Sequence, residues 1–170
     1  MAERVWQVLF LCSDNAARSI MAEALLTHWG RGRFRAHSAG SRPAGAVDPI
    51  TIELLAKFNL ASGSLRPKSW DLFAAPGAPD LDFVFVLSDD HSLDQVPQFP
   101  GDPMVAHWTL PDPAPVEGSE AERVQAFREA LRSVEARIKP FVALRPEALD
   151  RIVMRQHLDE IHRPQESDAR

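Results

Sequence analysis

Cys12 and Arg18, with Ser13, Asp14, Asn15, Ala16 and Ala17 between them and Ser19 after, are the residues whose types and spacing could do chemistry. A thiol that opens a short loop and a guanidinium that closes it can flank a tetrahedral oxyanion, sulfur below and a bidentate Arg18 at the side. The stretch joins an apolar run, Val5-Trp6-Gln7-Val8-Leu9-Phe10-Leu11, to an apolar helical pattern, Ile20-Met21-Ala22-Glu23-Ala24-Leu25-Leu26. A strand that turns through a short loop straight into a helix presents a fan of N–H groups with no intrahelical partner, and the helix dipole adds partial positive charge. The backbone N–H groups of residues 13–18 and Arg18 are therefore the expected oxyanion ligands. The same field is expected to lower the pKa of Cys12 and favour the thiolate, the form that attacks. The plainer alternative makes Cys12 a small buried hydrophobe at a strand end.

The elements that position this loop follow from the rest of the chain. Residues 5–11 are apolar on both faces except for Gln7, as in a doubly buried parallel strand. The first helix is expected over 19–29 with Gly30 as its stop. Residues 34–38 predict a second strand that delivers Ser38-Ala39-Gly40 to the edge of the sheet where the thiol loop sits. Asp48-Pro49 predicts an N-cap and first helical residue for a helix through Ile52, Leu54, Leu55 and Phe58. Residues 61–80 read as loop with a short helical turn near 70–73. Residues 81–87 form the clearest strand, and 104–108 a short fourth one. A stiff proline-rich loop over 109–115 follows, carrying Asp112. Ser119 and Glu122 make a capping box for a long helix through Val124, Phe127, Leu131, Val134 and Ile138, which Pro140 is expected to kink or end. From Arg145 an appended amphipathic helix is expected (Leu149, Ile152, Val153, Leu158, Ile161), then a charged, disordered tail after Pro164. Alternating strands and helices predict an α/β single-domain three-layer sandwich, its parallel sheet covered on both faces. Ligands of such sheets sit at the carboxyl ends of the strands, where the Cys12 loop, Ser38, the segment after Leu87 and Asp112 all fall.

The whole chain limits the partners. Its 170 residues suit one compact domain, and no internal repeat or long linker divides it. A net charge of −5 offers no basic footprint for nucleic acid. One cysteine excludes an intrachain disulfide and a cysteine-rich zinc site, and the six histidines show no metal-ligand spacing, so no metal is expected. Met1-Ala2-Glu3-Arg4 does not read as a signal peptide, and no apolar run approaches the roughly 18–20 residues of a membrane span. A reactive thiol without export signals predicts a cytoplasmic protein.

Roles follow from chemistry. Cys12 would attack the central atom of the oxyanion and form a covalent adduct. Ser19 would donate to the thiolate, or simply cap the first helix. Asn15 is expected to bond within the loop and shape it, since Asn tolerates left-handed backbone. Asp112 is the candidate general acid for a leaving oxygen, or a turn-forming Asp before Pro113. Asp14 is expected to point outward, because an inward carboxylate repels an anion. His28 and His107 read as structural, and Arg31, Arg33 and Arg35 as a solvated strand edge.

The thiol loop, Ser38-Ala39-Gly40 and Asp112-Pro113 together resemble the low-molecular-weight protein tyrosine phosphatase superfamily, and within it the arsenate reductase branch. The resemblance spans about residues 5–144, in segments such as "VLFLCSDNAARSIMAEALL", "FRAHSAGSRPAG" and "PMVAHWTLPDPAPVEGSEAERVQAFREAL". It implies a four-stranded parallel sheet with flanking helices, over a domain of 1–144 with 145–170 as an appended helix and tail. It also implies catalytic roles for Cys12, Arg18 and Asp112 and a supporting role for Ser19. In some relatives the residues matching Asn15 and Ser38 help hold the loop and a nearby monovalent cation, so both are taken as loop supports. Thioredoxin-coupled members resolve the arsenic adduct with two further cysteines after the third strand, at positions matching Ser88 and Val96 here. With one cysteine, an intramolecular relay is impossible, and a reductase would need an external thiol such as glutathione or mycothiol with a glutaredoxin-like protein. The phosphatase branch clamps a phenyl ring with aromatic residues, but Ser41-Arg42-Pro43-Ala44-Gly45 and Ala114-Pro115-Val116 contain none. Three readings follow: an arsenate reductase-like enzyme resolved by an external thiol, a phosphatase working through phosphocysteine, and a non-catalytic oxyanion- or partner-binding descendant.

Overall fold

The computed structural model describes residues 4–60, 64–88, 93, 95–146 and 151–167, with the backbone alone for Ile152 and for 163–167. Four strands, β1 (Trp6–Cys12), β2 (Phe34–Gly40), β3 (Phe83–Ser88) and β4 (Met104–Leu110), form one sheet in the order β2-β1-β3-β4. All pairs are parallel; Cys12 stands beside Gly40, and Val86 beside His107. Burial explains the composition: every residue of β3 is buried, and β1 is buried from Val8 to Cys12. Such strands need apolar side chains on both faces. The chain crosses from β1 to β2 on one side and returns past β1 to β3. The loop after β1 therefore opens at the point where the strand order reverses, the usual ligand crevice of open α/β sheets.

The helices are α1 (Arg18–Trp29), α2 (Pro49–Lys57), α3 (Asp71–Ala74), α4 (Glu120–Ala143) and α5 (Arg151–Ser167). The larger core lies between one face of the sheet and α1, α2, α4 and α5. Its centre is aromatic: Phe141 meets Phe34, Phe83, Phe85 and Trp108, and Phe85 stacks on Trp108 at 3.9 Å between centroids. Leu9, Leu11, Val84 and Val86 face a smaller cluster on the other side, closed by Phe73 of α3, Leu81, Leu93 and Phe99.

Asp48 caps α2 through Ile50 N–H, and Ser119 and Glu122 close their capping box on α4. Pro140 does not end α4, which continues to Ala143. The ring is exposed, and Phe141 anchors the last turn in the core. Arg33 departs from the expected solvated strand edge. Its Nη1 donates to Val142 O at 2.6 Å and its Nη2 to Leu144 O at 2.9 Å, which caps the end of α4. Helix α5 packs Met154 and Leu158 into the main core, and Leu158 O accepts from Trp108 Nε1 at 3.2 Å. It runs past Pro164 to Ser167, where a disordered tail was expected. Leu149 and residues 168–170 lie outside the described residues, as do His91 and the side chain of Ile152.

Candidate active site

The carboxyl edge of the sheet gathers Cys12 at the end of β1, Gly40 at the end of β2, Ser88 at the end of β3 and Leu110 at the end of β4. Between β1 and α1, residues 13–17 form a loop whose outward carbonyls are held by the segment after β2. Arg42 N–H donates to Ser13 O at 2.8 Å, Ala44 N–H to Asp14 O at 2.9 Å and Asp48 N–H to Ala16 O at 3.1 Å. Gly40 permits this approach, since a Cβ there would lie 2.7 Å from Ser13 O. No side chain caps α1, whose N-cap position is Ala17. Its first N–H groups thus belong to the loop's electrostatics rather than to a capping hydroxyl.

Cys12 is fully buried, and its Sγ lies 2.9 Å from Ser19 Oγ. Of the two roles open to Ser19 the hydroxyl takes the one at the sulfur. Asn15, also fully buried, sits at φ 52°, the left-handed backbone that Asn tolerates. Its Oδ1 accepts from Lys68 N–H at 2.8 Å, and its Nδ2 donates to Ser19 Oγ at 2.7 Å. Arg18 is buried to 2% exposure; Nη1 donates to Leu110 O at 2.9 Å and Nη2 lies 3.6 Å from Asp112 Oδ2. Asp112 makes the expected turn contact through Oδ1, which accepts from Ala114 N–H at 3.0 Å, while Oδ2 faces Arg18.

Several expectations need correction. Burial pushes the Cys12 thiol above its ordinary value of 9.0, against the pull of Arg18 and the Ser19 hydrogen bond. Desolvation of a full charge works against one guanidinium and the hydrogen bonds from Ser19, so burial opposes the thiolate. Asp14 does not point outward: its Oδ1 accepts from Cys12 Sγ at 3.6 Å and from Ala16 N–H at 3.4 Å, and its charge raises the thiol further. The first loop amide is also engaged, because Ser13 N–H donates to Ser88 Oγ at 2.9 Å and Ser13 Oγ lies 3.2 Å from the same oxygen. Ser13 N–H is thus directed at the end of β3, not at an anion. Ser38 supports the loop only indirectly; its hydroxyl donates to Glu23 Oε1 at 3.3 Å, and that oxygen is 4.0 Å from Lys68 Nζ. Burial holds the Glu23 carboxyl above its usual range and Lys68 below its own, each opposed by the other's charge.

Sequence reasoning missed Glu23 and Lys68, and it marked Ser88 only as the match to a resolving cysteine, not as the partner of Ser13. The register of β3 against β1 is what places Ser88 beside Ser13. Among the described residues no three His, Cys, Asp or Glu side chains converge as a metal site would, and no helix is long and apolar enough to cross a membrane.

A buried thiol at the head of a loop of guarded backbone dipoles, with a buried arginine and a carboxylate beside it, has the chemistry that a cysteine nucleophile needs against a tetrahedral oxyanion. The family model described as low molecular weight phosphotyrosine protein phosphatase matches residues 7–155, and the chain belongs to that family. An arsenate reductase of Shouchella clausii is 30% identical over 134 residues, covering 79% of this chain and 93% of the relative. A solved arsenate reductase from Archaeoglobus fulgidus aligns with TM-score 0.64 and 30% identity, over 81% of this chain and 99% of its own. A low molecular weight protein tyrosine phosphatase from T. tengcongensis, at 21% identity, shares the fold with TM-score 0.61 over 82% of this chain and 99% of its own. The protein is an enzyme of the arsenate reductase-like or low-molecular-weight phosphatase-like kind.

Proposed function

We propose that the protein reduces arsenate, with Cys12 as nucleophile and a thiol from outside the chain as reductant. The observation that carries this reading is the solitary thiol of the sequence, seated at the start of the oxyanion loop with a serine at the end of β3. The identity to arsenate reductases supports the substrate. Cys12 attacks arsenic, an As–O bond breaks, and the departing oxygen leaves as water with a proton from Asp112. The loop amides from Asn15 onward and Arg18 hold the equatorial oxygens. An external thiolate then attacks Cys12 Sγ, and the S–As electron pair passes to arsenic, which leaves as arsenite. A second external thiol reduces the mixed disulfide and frees Cys12. Two thiols lose two electrons, and arsenic(V) gains them. Glutathione or mycothiol, with a glutaredoxin-like protein, fits this scheme, and a cytoplasmic setting would supply either.

Hydrolysis of small phosphate esters is the second reading, favoured by Asp112 Oδ2 lying 3.6 Å from Arg18, where it could serve an apical leaving oxygen. A paired assay separates the two: thiol-dependent arsenite formation and aryl phosphate hydrolysis, each against Cys12→Ser. Arsenite that requires Cys12 is the expected result. Phosphate release without arsenite would select the phosphatase, and silence in both from protein that still binds phosphate would overturn both.

A further inference from the structure

Lys68 ties three parts of the site together. Its backbone N–H donates to Asn15 Oδ1 in the anion loop at 2.8 Å, and its carbonyl accepts from Gly40 N–H at the end of β2 at 2.8 Å. Its side chain turns back toward α1: Nζ donates to Arg66 O at 2.6 Å and lies 4.0 Å from Glu23 Oε1. Glu23 stands one helical turn beyond Ser19, and the same Oε1 accepts from Ser38 Oγ at 3.3 Å. Both charged side chains are only 13% exposed. A carboxylate so enclosed needs a cation, because a buried charge without a partner is costly. It also stands beside a loop suited to anions, where an unneutralised negative charge would repel the ligand.

We infer that Lys68 is a built-in cation, a positioning residue whose ammonium stands beside the anion loop in the place of a bound metal ion. The inference rests on the reading of the Cys12 loop as an oxyanion site, and it holds whether the anion is arsenate or a phosphate ester. The monovalent cation that the resemblance implies near Asn15 and Ser38 does not fit the residues present. Asn15 Oδ1 is taken by Lys68 N–H, the Ser38 hydroxyl is turned to Glu23, and Lys68 Nζ stands by the carboxylate that such an ion would need. The oxygens nearest Nζ, a carboxylate and a peptide carbonyl, are the kind that hard cations take, so the ammonium and a free ion compete for one place. The tether makes the cation part of the fold and couples it to Asn15. That residue is held at φ 52°, an uncommon backbone conformation, and the N–H that holds its side chain belongs to the same lysine. One residue therefore neutralises Glu23 and orients the loop, with no ion drawn from solution.

The test uses the full chain and two variants. Lys68→Met keeps the apolar stem and vacates only the place of Nζ, and Lys68→Ala opens more room. Thermal melting and phosphate titration are run in potassium chloride and, at the same ionic strength, in tetramethylammonium chloride, whose cation is too large for the space beside Glu23. The wild type should melt at one temperature and bind phosphate equally in both salts. In tetramethylammonium chloride each variant should melt about 4–10 °C lower and bind phosphate about 3- to 10-fold more weakly. Potassium at about 100 mM should return half or more of both losses along a saturating curve. The double variant Lys68→Met/Glu23→Gln, which lacks the carboxylate, should show no such response. A wild type stabilised saturably by potassium overturns the inference, as does a variant that loses nothing or that potassium does not restore. Variants that fold in neither salt overturn it too. The melts involve no turnover and no anion. If the wild type binds no phosphate and reduces no arsenate, the functional reading has failed, and the salt response of the melts decides the place of the cation by itself.

Discussion

Removing the Ser19 hydroxyl should slow the chemistry of Cys12 while leaving the fold intact. Ser19 is fully buried, with Cys12 Sγ 2.9 Å from its oxygen and Asn15 Nδ2 2.7 Å away on the donor side. A hydrogen bond to an ionised partner contributes about 1.5–3 kcal/mol. Ser19→Ala therefore lowers the thiolate population below the titration midpoint by about 10- to 150-fold, at roughly 1.4 kcal/mol per factor of ten. The orphaned Asn15 amide costs a further 1–3 kcal/mol or so of stability, against which the better helix propensity of Ala returns about 0.5 kcal/mol. For a chain of this length, roughly 2–4 °C per kcal/mol puts the melting temperature about 1–10 °C lower. Alkylation with iodoacetamide, followed by mass, reads the first quantity cleanly, since the chain has one cysteine and forms one adduct. Its pH profile should shift upward in Ser19→Ala and return toward the wild type in Ser19→Thr, which keeps a hydroxyl. An alkylation rate unchanged in a folded Ser19→Ala would refute the claim that this bond activates the sulfur.

Gly40→Ala should cost about 1–3 kcal/mol and lower phosphate affinity, because its Cβ would meet Ser13 O at 2.7 Å and push the loop; thermal melting and calorimetry check both. Asp112→Asn should reduce turnover about 10²- to 10⁴-fold, the range for a lost general acid, while alkylation of Cys12 stays near wild type. Stability should depend on Cys12 above neutral pH with a definite sign. The folded thiol is raised, so the folded state holds more protons than the unfolded one once pH passes 9.0. The contribution of the neutral thiol is complete below that value and lost above it, and the stability difference between the wild type and Cys12→Ser should narrow in favour of the variant as pH rises. Denaturant melts across that window measure it, and a pH-independent difference would contradict it.

Much of this architecture is legible in residue order because its causes are local. Asp48-Pro49 and the Ser119–Glu122 box announce helix starts by chemistry within a few residues, and the apolar runs at 8–11 and 83–87 announce buried strands. Asn15 and Ser19 are readable for the same reason, since their contact closes within one helical turn. The bonds that escaped are those between distant segments. Ser13 meets Ser88, Arg33 meets the end of α4, and Asn15 meets the backbone of Lys68, and only the assembled sheet brings these partners together. The direction of Asp14 and the state of the Cys12 thiol belong to the same class. Each depends on how much water the finished fold excludes, and residue spacing does not report that. Of the kink or end that Pro140 announces, the end does not occur, because Phe141 just beyond it holds the last turn in the core.

The three amides that hold the outward carbonyls of the anion loop belong to Arg42, Ala44 and Asp48, and all three grip through backbone. The side chains of Arg42 and Ala44 are exposed and take no part in the hold. The rim over the nucleophile is thus free to change its size, charge or shape by substitution while the cradle beneath keeps its dipoles aligned. The shape of the loop and the identity of the side chains above it are mechanically uncoupled in this fold, so substitutions at 42 and 44 leave the loop's backbone hold in place.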